Sequence, residues 1–456
     1  MIRKLLTLVV AYLFVAGTIQ AQTAYDAVHI TEHEEGIGTR ALAMGGAYTA
    51  LANDYSGIYW NPAGLAAVKK SAINAELSHL QFSNDATYNG TLTSNSQGFT
   101  KLKTLGFIMP LPTKRGSLVI AGGYNRVLDY DDHLFFEGFG EASNDIGFEI
   151  ENDDGDTQFY PFDRDVNRQE EVNSEGSLQQ WSIGGAIALS PNFTVGLTTS
   201  LVHGEEEYNF GFSQFDDDNI YSEYPADFDE YTVNQYLKSD YYSLNLKLGG
   251  IIDLNKMLKV GGVITFPSKY YVEEEHSFND NLYFDDGSDD PTGESGNFDY
   301  HVKTPFIFDI GIAFTNNQFS LSFATRYRDW SQTRFEVDDF KYNDHDYNDI
   351  VRENNILARE YDQTLEYRLG GELLFPGLNA KVRGGYNFVP SPVGNSKDER
   401  ETYSAGVSFK IDKKVNLDFT FLKRDWKRNS YDSYTPAGVD EIIETNKIIV
   451  GLTYNL

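Results

Sequence analysis

The 456-residue sequence contains no cysteine, and it has only 37 Lys and Arg against 68 Asp and Glu, a formal net charge of -31. The missing thiols exclude disulfides, cysteine nucleophiles, cysteine-ligated zinc and a lipid-modified N-terminal cysteine. The acidity disfavours nucleic acid and anionic lipid as partners, because both would be repelled at long range. After residue 21 the chain also lacks any apolar run of about 20 residues, the length a membrane-spanning helix needs.

The first 21 residues have the features of a secretion signal. Arg3 and Lys4 provide the basic start, residues 5–15 the apolar segment, and Ala21 a small residue before a cut at Gln22. The sequence therefore predicts an exported chain that is not a helical membrane protein.

From residue 71 onward, segments of alternating apolar and polar side chains recur, as in 402–411, where apolar residues occupy every second position from Tyr403 to Ile411. About fourteen such segments, one of them at 355–375, are separated by short turns that alternate with long polar connections. The long connections are predicted at 83–99, 131–176, 209–237, 276–297, 337–354, 390–397 and 430–441. This pattern predicts an all-β fold, a transmembrane antiparallel barrel of about fourteen strands over 71–456, with both termini in the periplasm. A soluble β protein is the alternative.

Acidic side chains are concentrated in the long connections. Residues 131–176 carry 15 Asp and Glu against two Arg. Solvated extracellular loops are the favoured interpretation. Divalent-cation binding is the second one, since Asp216-Asp217-Asp218 and the pair Asp344 and Asp346 offer the oxygen ligands that Ca²⁺ prefers, although neither has EF-hand spacing.

Residues 22–70 do not alternate and are rich in Gly and Ala, ending in Asn61-Pro62-Ala63-Gly64. Small residues allow close backbone packing, and Pro62 ends any helix that begins near Ala41. We predict that this segment fits inside the barrel as a plug, or hatch.

The run from Gly38 to Leu65, with its closing Asn-Pro-Ala-Gly, resembles the hatch of the FadL/TodX family of outer-membrane transporters for hydrophobic compounds. Residues 328–335 and 365–392 are similar to further family segments, whereas the acidic connections between 131 and 300 match none. The resemblance implies a plugged fourteen-stranded barrel without catalysis, metal or cofactor, which passes molecules such as long-chain fatty acids or aromatic hydrocarbons. It makes Asn61, Pro62 and Ala63 the hatch motif, with Asn61 as a hydrogen-bonding anchor.

In that family the solute leaves sideways beside a kinked third strand. The corresponding strand here carries Gly122 and Gly123, which either permit such a kink or allow the hatch to pack closely against the wall. Charged residues on the inward face are expected to form an ion-pair network that fills the barrel and grips the hatch, with reception of a substrate carboxylate by one Arg as a minor alternative. These residues are Asp309, Arg326, Arg328, Glu366, Arg368, Lys381, Arg383 and Asp418.

The resemblance further implies the outer membrane of a Gram-negative bacterium, with outer-membrane lipid, lipopolysaccharide, the barrel assembly machinery and a hydrophobic small molecule as partners. The chain departs from most such barrels in ending with Leu456 rather than an aromatic residue. A scaffold for protein secretion or surface attachment is the alternative function. An enzyme is not predicted, because no convergent nucleophile and base can be named, and His29 and His33 do not form a metal-binding HExxH motif.

Overall fold

The computed structural model describes residues 10–11, 23–151, 157–224, 227–342, 344–394 and 399–456. Apart from the two-residue strand β1, the predicted secretion signal and its cut lie outside the described residues. The strands are β1 (Val10–Ala11), β2 (Ala72–Tyr88), β3 (Thr91–Leu111), β4 (Leu118–Asp129), β5 (Asp132–Gly140), β6 (Gly147–Glu151), β7 (Thr157–Pro161), β8 (Val166–Ser190), β9 (Phe193–Phe215), β10 (Phe228–Asp253), β11 (Leu258–Thr265), β12 (Lys269–Phe284), β13 (Asp289–Lys303), β14 (Ile307–Thr315), β15 (Phe319–Asp329), β16 (Arg334–Phe335), β17 (Gln363–Phe375), β18 (Ala380–Val389), β19 (Arg400–Lys410), β20 (Val415–Ser430) and β21 (Val439–Asn455).

The helices are short and few. They are α1 (Ala24–His29), α2 (Thr39–Ala43), α3 (Gly57–Trp60) and α4 (His345–Glu360), with 3₁₀ turns at Pro62–Ala67, Trp330–Gln332, Val337–Asp339 and Pro376–Leu378. Among the described residues, no helix has both the length and the apolar character needed to cross a membrane.

The strands close into an antiparallel barrel, because β2 pairs with β3 on one side and with the last strand, β21, on the other. Four of its wall strands consist of two pieces each, β4 with β5, β11 with β12, β13 with β14, and β15 with β16. Counted in this way the barrel has fourteen wall strands, and the predicted fold is confirmed. Closure pairs most of the wall strands on both sides, the outer part of β3 excepted, because among the described strands it pairs with β2 alone. Pairing of this kind is what a lipid environment demands of backbone hydrogen bonds.

Two of the interruptions lie at prolines on neighbouring strands. Pro267 separates β11 from β12, and Pro305 separates β13 from β14. Proline has no N–H to donate, so each ladder must break there. The two breaks are joined by a hydrogen bond from the Thr304 N–H to the Ser268 carbonyl, 2.9 Å, which keeps the wall continuous.

The outward face carries large apolar side chains that are exposed in the isolated chain. They form a belt on the half of the barrel that lies next to the short turns, and the belt includes Leu77, Phe107, Ile183, Leu201, Leu244, Ile310, Leu321, Leu369, Phe421 and Leu452. An apolar surface of this extent is what acyl chains cover, since water would leave it unfavourably hydrated. The belt therefore marks the lipid-facing part of the wall.

Several predicted connections are in fact strand. Residues 83–99 continue β2 and β3 up to a tight turn at Asn89 and Gly90, whose φ values of 46° and 85° suit a two-residue hairpin turn. Most of 276–297 likewise belongs to β12 and β13. Alternation there is weak, because the outward residues stand in water beyond the apolar belt and polar side chains such as Asn84 interrupt the buried inward face.

The predicted strand at 355–375 begins too early, because residues up to Glu360 belong to helix α4. Asp344 caps this helix by accepting a hydrogen bond from the His345 N–H. The buried residues Ile350, Glu353 and Leu357 follow the helical spacing of three and four.

Candidate functional site

The N-terminal segment, residues 23–70, packs inside the barrel against the inner face of the wall. Its residues from 37 to 66 are almost all buried. At eleven wall glycines an added Cβ would lie within about 3.2 Å of this segment: Gly106, Gly123, Gly184, Gly196, Gly249, Gly261, Gly311, Gly370, Gly385, Gly406 and Gly451. These positions are distributed around much of the ring, so the segment touches the wall on nearly every side.

Asn61 makes three hydrogen bonds, two within the N-terminal segment and one to the wall. Its Nδ2 donates to the Thr49 carbonyl at 2.7 Å and to the Gly250 carbonyl of β10 at 3.2 Å, and its Oδ1 accepts from the Ala63 N–H at 3.0 Å. The side chain is completely buried. Pro62 packs against Gly196 of β9, where a Cβ would lie 2.3 Å from the Pro62 carbonyl carbon. The three motif residues therefore lie at the contact between segment and wall.

One ion-pair group connects helix α2 to the wall. The Arg40 guanidinium binds both carboxylate oxygens of Glu372, at 2.8 and 2.9 Å. Glu372 also accepts from Arg383 at 2.7 Å and from Lys381 at 3.2 Å, and Arg383 binds Asp418 at 2.7 Å. Four inward charges on three wall strands thus form one connected ion-pair group, and Glu372 is the member that binds Arg40 of the segment.

A second group lies beside it on β14, β15 and β17. Arg326 binds Asp309 at 2.9 Å, and Arg368 reaches the same carboxylate at 3.5 Å while pairing with Glu366. The Arg368 guanidinium also lies 5.2 Å from the ring centre of Trp60 in the N-terminal segment. This contact is a cation–π interaction.

The remaining residue of the predicted network, Arg328, makes a different contact. Arg328 donates to the Thr31 carbonyl at 2.9 Å and stacks on Trp330 at 4.2 Å. Lys247 of β10, which sequence reasoning did not single out, donates to the Tyr59 carbonyl at 3.2 Å and lies 3.8 Å from the centre of that ring. Wall cations therefore hold the segment by its carbonyls and aromatic rings as well as by its charges.

A further group centres on Glu35 of the segment. Its carboxylate binds Lys103 at 2.6 Å and Lys447 at 3.1 Å, and Lys447 also binds Asp129, which pairs with Arg126. Burial alone would raise the pKa of Glu35, but the two ammonium groups outweigh it and lower the pKa to about 2. Glu35 is therefore ionised throughout the physiological range.

The third wall strand is irregular where it meets this group. The register of β4 against β8 shifts between Arg126 and Leu128, so Val127 is the extra residue of a bulge. The Val127 carbonyl accepts from the N–H groups of Glu35 at 2.9 Å and Gly36 at 3.3 Å. The bulge thus turns a strand carbonyl away from the sheet and onto the N-terminal segment.

Gly122 and Gly123 lie in regular pairing with β3 and β8, a few residues before the bulge. Tyr55 of the N-terminal segment lies against them, since its hydroxyl would be 2.6 Å from a Cβ at Gly123 and its ring 2.1 Å from one at Gly106. The glycine pair therefore provides space for Tyr55, and the irregularity itself is at Val127.

Beyond the bulge the second and third wall strands separate. The ladder between β3 and β4 ends at Thr104 and Asn125, and among the described strands residues 91–103 pair only with β2. Piece β5 instead lies inside the barrel, where Leu134 and Phe136 pack with inward residues of β2 and β21. The wall consequently has a break in its backbone hydrogen bonding that begins near the outer end of the apolar belt.

A cavity of about 480 Å³ lies above the N-terminal segment, on the side of the long loops. Its apolar lining includes Leu80, Phe82, Leu128, Leu237, Leu422 and Trp426, and its polar lining includes Tyr25, His29 and Glu35 of the segment. Asp129 and Asp131, next to the strand irregularity, also line it. The cavity therefore reaches from the segment to the break beside β4.

Most charges in this cavity are neutralised by a neighbour. Asp131 pairs with Lys101, and Asp132 pairs with Arg428. Arg424 differs from these: its Nε donates to the Thr402 hydroxyl at 2.9 Å, and no carboxylate of the described residues lies within 4 Å of its guanidinium. Its two terminal nitrogens are thus available inside a partly apolar cavity.

Helix α1 forms the floor of the cavity. His29 lies 3.1 Å from the Glu206 carboxylate of β9, and burial alone would lower the pKa of His29, but that carboxylate raises it to about 9. The Nε2 atom of His33 lies 3.3 Å from the Glu32 carboxylate. The two histidines therefore have different partners, Glu206 for His29 and Glu32 for His33. In the part of the chain that the structure describes, no three side chains are arranged to hold a metal ion.

The acidic loop residues also have structural partners. Asp216 accepts from the N–H groups of Ile220 at 2.9 Å and Tyr221 at 2.6 Å, and Asp217 accepts from Asn167. These contacts fix the loop between β9 and β10. Divalent-cation binding there stays a prediction.

No protein-family profile matches the sequence, and no curated protein matches it significantly. Solved structures do match over nearly the whole chain. The Pseudomonas putida toluene transporter TodX superposes with a TM-score of 0.59 at 12% identity, covering 93% of this chain and 99% of its own. The chain has the FadL/TodX fold. A Pseudomonas aeruginosa FadL homologue (TM-score 0.55, 13% identity, 93% and 100% coverage) and the CymD monoaromatic hydrocarbon channel (0.54, 14%, 92% and 98%) agree.

The FadL/TodX fold is the one that the resemblance in the hatch region and C-terminal strands predicted. The identities of 12–14% are low enough that these matches establish architecture alone. Arg424, Lys247 and Glu35 were missed by sequence reasoning. Arg424 could have been identified from the sequence, because it occupies the same set of alternate, inward-facing positions of β20 as Asp418, Leu422 and Arg428.

Proposed function

We propose that the protein is an outer-membrane channel for hydrophobic molecules that carry an anionic head group, with long-chain fatty acids as the model substrate. The apolar belt and the FadL/TodX fold support residence in the outer membrane. Support for the solute class comes from one observation, the unpaired guanidinium of Arg424 in a cavity whose lining combines aliphatic and aromatic side chains with several carboxylates.

The physical reason for this solute class is a balance of two contributions. Burying an acyl chain against Leu and Phe side chains contributes roughly 25 cal/mol per Å² of apolar area. A carboxylate beside the acidic lining would be repelled unless a cation faced it, and Arg424 is the cation in place. A plain arene would leave that guanidinium without a partner in an enclosed site, which is unfavourable.

Binding of dodecanoate, dodecanol and toluene to the purified protein tests this assignment. Trp426 lines the cavity, so its fluorescence reports occupancy. We expect Arg424→Gln to weaken dodecanoate binding about 10- to 100-fold, as loss of a charge-assisted hydrogen bond predicts, and to leave dodecanol and toluene unchanged. Lys423→Gln, on the outward face of the same strand, is the matched control.

Three outcomes would contradict the proposal in different ways. Equal weakening of all three ligands would show that Arg424 supports the cavity structurally. Binding of toluene without dodecanoate would assign aromatic hydrocarbons as the solute class. Binding of none, with an intact barrel, would favour a scaffold for secretion or surface attachment.

We further propose that the N-terminal segment is a hatch and that the solute leaves the cavity sideways through the break between β3 and β4. Supporting this route, the cavity lining includes Leu128, Asp129 and Asp131, which lie directly at the break. A solute that leaves by this route does not have to pass the close contacts between the wall glycines and the N-terminal segment, which lie below the cavity.

Deletion of Val127 tests the lateral route, because it removes the extra residue that bends β4. The straightened strand would continue its pairing with β3 and close the break. We expect dodecanoate binding to persist while uptake into cells falls sharply. Unchanged uptake in a folded deletion variant would contradict the lateral route. It would not affect the assignment of dodecanoate binding to the cavity at Arg424.

A further inference from the structure

Arg424 is the middle member of a row of inward side chains on three neighbouring strands. Thr402 of β19 and Thr445 of β21 are directly opposite Arg424 in the two ladders on either side of β20. Residues that are paired in this way have Cβ atoms about 5 Å apart. All three side chains line the cavity, so this row, called the Arg424 row below, forms one short stretch of the cavity wall.

The Arg424 row offers hydrogen-bond donors that have no acceptor. The Thr402 hydroxyl oxygen already accepts from Arg424 Nε at 2.9 Å, so its proton remains to be donated. Among the described residues, no acceptor is bound by that proton, by the half-buried hydroxyl of Thr445 or by the terminal nitrogens of Arg424. Two hydroxyls and two guanidinium nitrogens are therefore free to donate within one row.

This set of donors matches a carboxylate. An ionised carboxylate only accepts hydrogen bonds, and its two oxygens offer about four lone-pair sites. A planar guanidinium donates two parallel N–H bonds to the two oxygens, and the flanking hydroxyls add one donor on each side. An alkyl phosphate or phosphonate dianion has three terminal oxygens in a tetrahedral arrangement, and this row would leave one of them without a donor.

Apolar side chains adjoin the Arg424 row on several sides. Leu422 and Trp426 occupy the inward positions of β20 directly before and after Arg424, and Phe82 of β2 is directly opposite Thr445. All of them line the cavity. A molecule whose head group binds in the row therefore places its hydrocarbon chain against aliphatic and aromatic surface, where its burial is favourable.

The Arg424 row lies at the outer edge of the apolar belt. On the opposite face of β20 the side chains change at this point from the exposed Phe419 and Phe421 to Lys423, which pairs with Glu444 at 2.7 Å. Such a change marks the boundary between acyl chains and lipid head groups. A carboxylate held in the row is therefore level with the head groups, and a solute that leaves sideways does not have to carry its charge across the acyl layer.

We propose that Thr402, Arg424 and Thr445 form a receptor for a single carboxylate, in which the Thr445 hydroxyl binds the head group directly, and that this receptor makes the cavity selective for carboxylates over alkyl phosphates and phosphonates. The inference rests on the channel function proposed above, because it names further residues and a narrower head-group class for the same cavity. Thr445 is the residue to vary, since its hydroxyl does not hold Arg424 in place, whereas that of Thr402 does.

Titration of the purified full-length mature protein with dodecanoate, toluene and dianionic dodecylphosphonate tests the proposal, with the fluorescence of Trp426 as the signal. Thr445→Val removes the hydroxyl at nearly constant volume, and valine is favourable in strands. We expect this variant to bind dodecanoate about tenfold more weakly, as loss of a hydrogen bond to a charged group predicts, and toluene unchanged. Thr445→Ser, which keeps the hydroxyl, is expected to bind dodecanoate like the wild type. The wild type is expected to bind dodecylphosphonate about tenfold more weakly than dodecanoate, because one oxygen lacks a donor.

Thr453→Val is the matched control, because Thr453 is a half-buried residue on the same inward face of β21 outside the cavity lining. A loss of dodecanoate affinity in Thr445→Val no larger than in Thr453→Val would overturn the role of Thr445. An equal loss of toluene affinity, or a Thr445→Ser variant as weak as Thr445→Val, would overturn it too. Equal affinity of the wild type for dodecylphosphonate and dodecanoate would overturn the selectivity for carboxylates.

These failures are distinguishable from failure of the proposed function. If Arg424→Gln weakens dodecanoate binding while Thr445→Val does not, the channel assignment stands and the receptor of three residues is wrong. A wild-type protein that does not bind dodecanoate would overturn both.

Discussion

Replacement of Asn61 by alanine is predicted to loosen the N-terminal segment while leaving the barrel closed. The side chain is fully buried and makes three hydrogen bonds, two within the segment and one to β10. Alanine leaves the Thr49 carbonyl and the Ala63 N–H without these partners in an enclosed site. At roughly 1–2 kcal/mol for each buried group left unsatisfied, the docking free energy falls by about 2–4 kcal/mol, which is roughly a 30- to 1,000-fold rise in the open population.

Hydrogen exchange followed by mass spectrometry measures this effect directly, because backbone N–H groups of residues 44–65 are protected only while the segment is docked. Peptides from β10 and β21 in the same sample report on the wall. The exposed residue Asn192 lies in a short turn, and Asn192→Ala serves as the control. If Asn61→Ala exchanged no faster than Asn192→Ala in residues 44–65, the reasoning that Asn61 anchors the segment would be wrong.

Two other predictions concern the same interface. Gly385→Val is expected to displace the segment, because a Cβ there would lie 2.1 Å from the Gly45 nitrogen. Gly384→Val is expected to be tolerated, since the nearest neighbour of a Cβ there is 3.9 Å away. Comparable hydrogen exchange of residues 44–65 in the two variants would contradict the close-contact argument. The pKa of His29, raised to about 9 by Glu206, means that its contribution to docking of α1 is fully present below about pH 6.5 and is lost as the pH rises towards 9. Exchange in residues 24–30 should therefore accelerate across that interval in the wild type and show no such step in His29→Gln.

The barrel could be predicted from the sequence because each wall strand separates two different surroundings, lipid and lumen, and alternation records that difference. The prediction failed where the difference disappears. In 83–99 the outward face meets water and the inward face includes polar side chains such as Asn84, so strands looked like loops. Helix α4 was missed because its two buried apolar residues, Ile350 and Leu357, are a weak signal beside the strong strand pattern that follows the helix.

The candidate site was only partly accessible from the sequence. Parity identified which charges on β14–β18 point inward, and the structure brings Asp309, Arg326 and Arg368 together. The alternation of inward and outward positions does not show which inward charge lacks an ion-pair partner, because the possible partners lie on strands that are far apart in the chain. Arg424 is left without a carboxylate since its neighbours Glu35 and Asp129 are already bound by Lys103, Lys447 and Arg126.

The chemistry of the segment–wall interface fits the solute proposed for the cavity above it. A plug held by apolar contacts alone would be weakened by the apolar molecules that it has to retain, because these would compete for the same surfaces. Here the segment is held by ion pairs such as Arg40–Glu372 and Glu35–Lys103 and by the hydrogen bonds of Asn61. An acyl chain forms none of these interactions and therefore does not displace them. Buried ion pairs add little net stability compared with apolar packing, but they specify one arrangement, and the hatch proposed for this segment, beside a partly apolar cavity, would require that specificity more than stability.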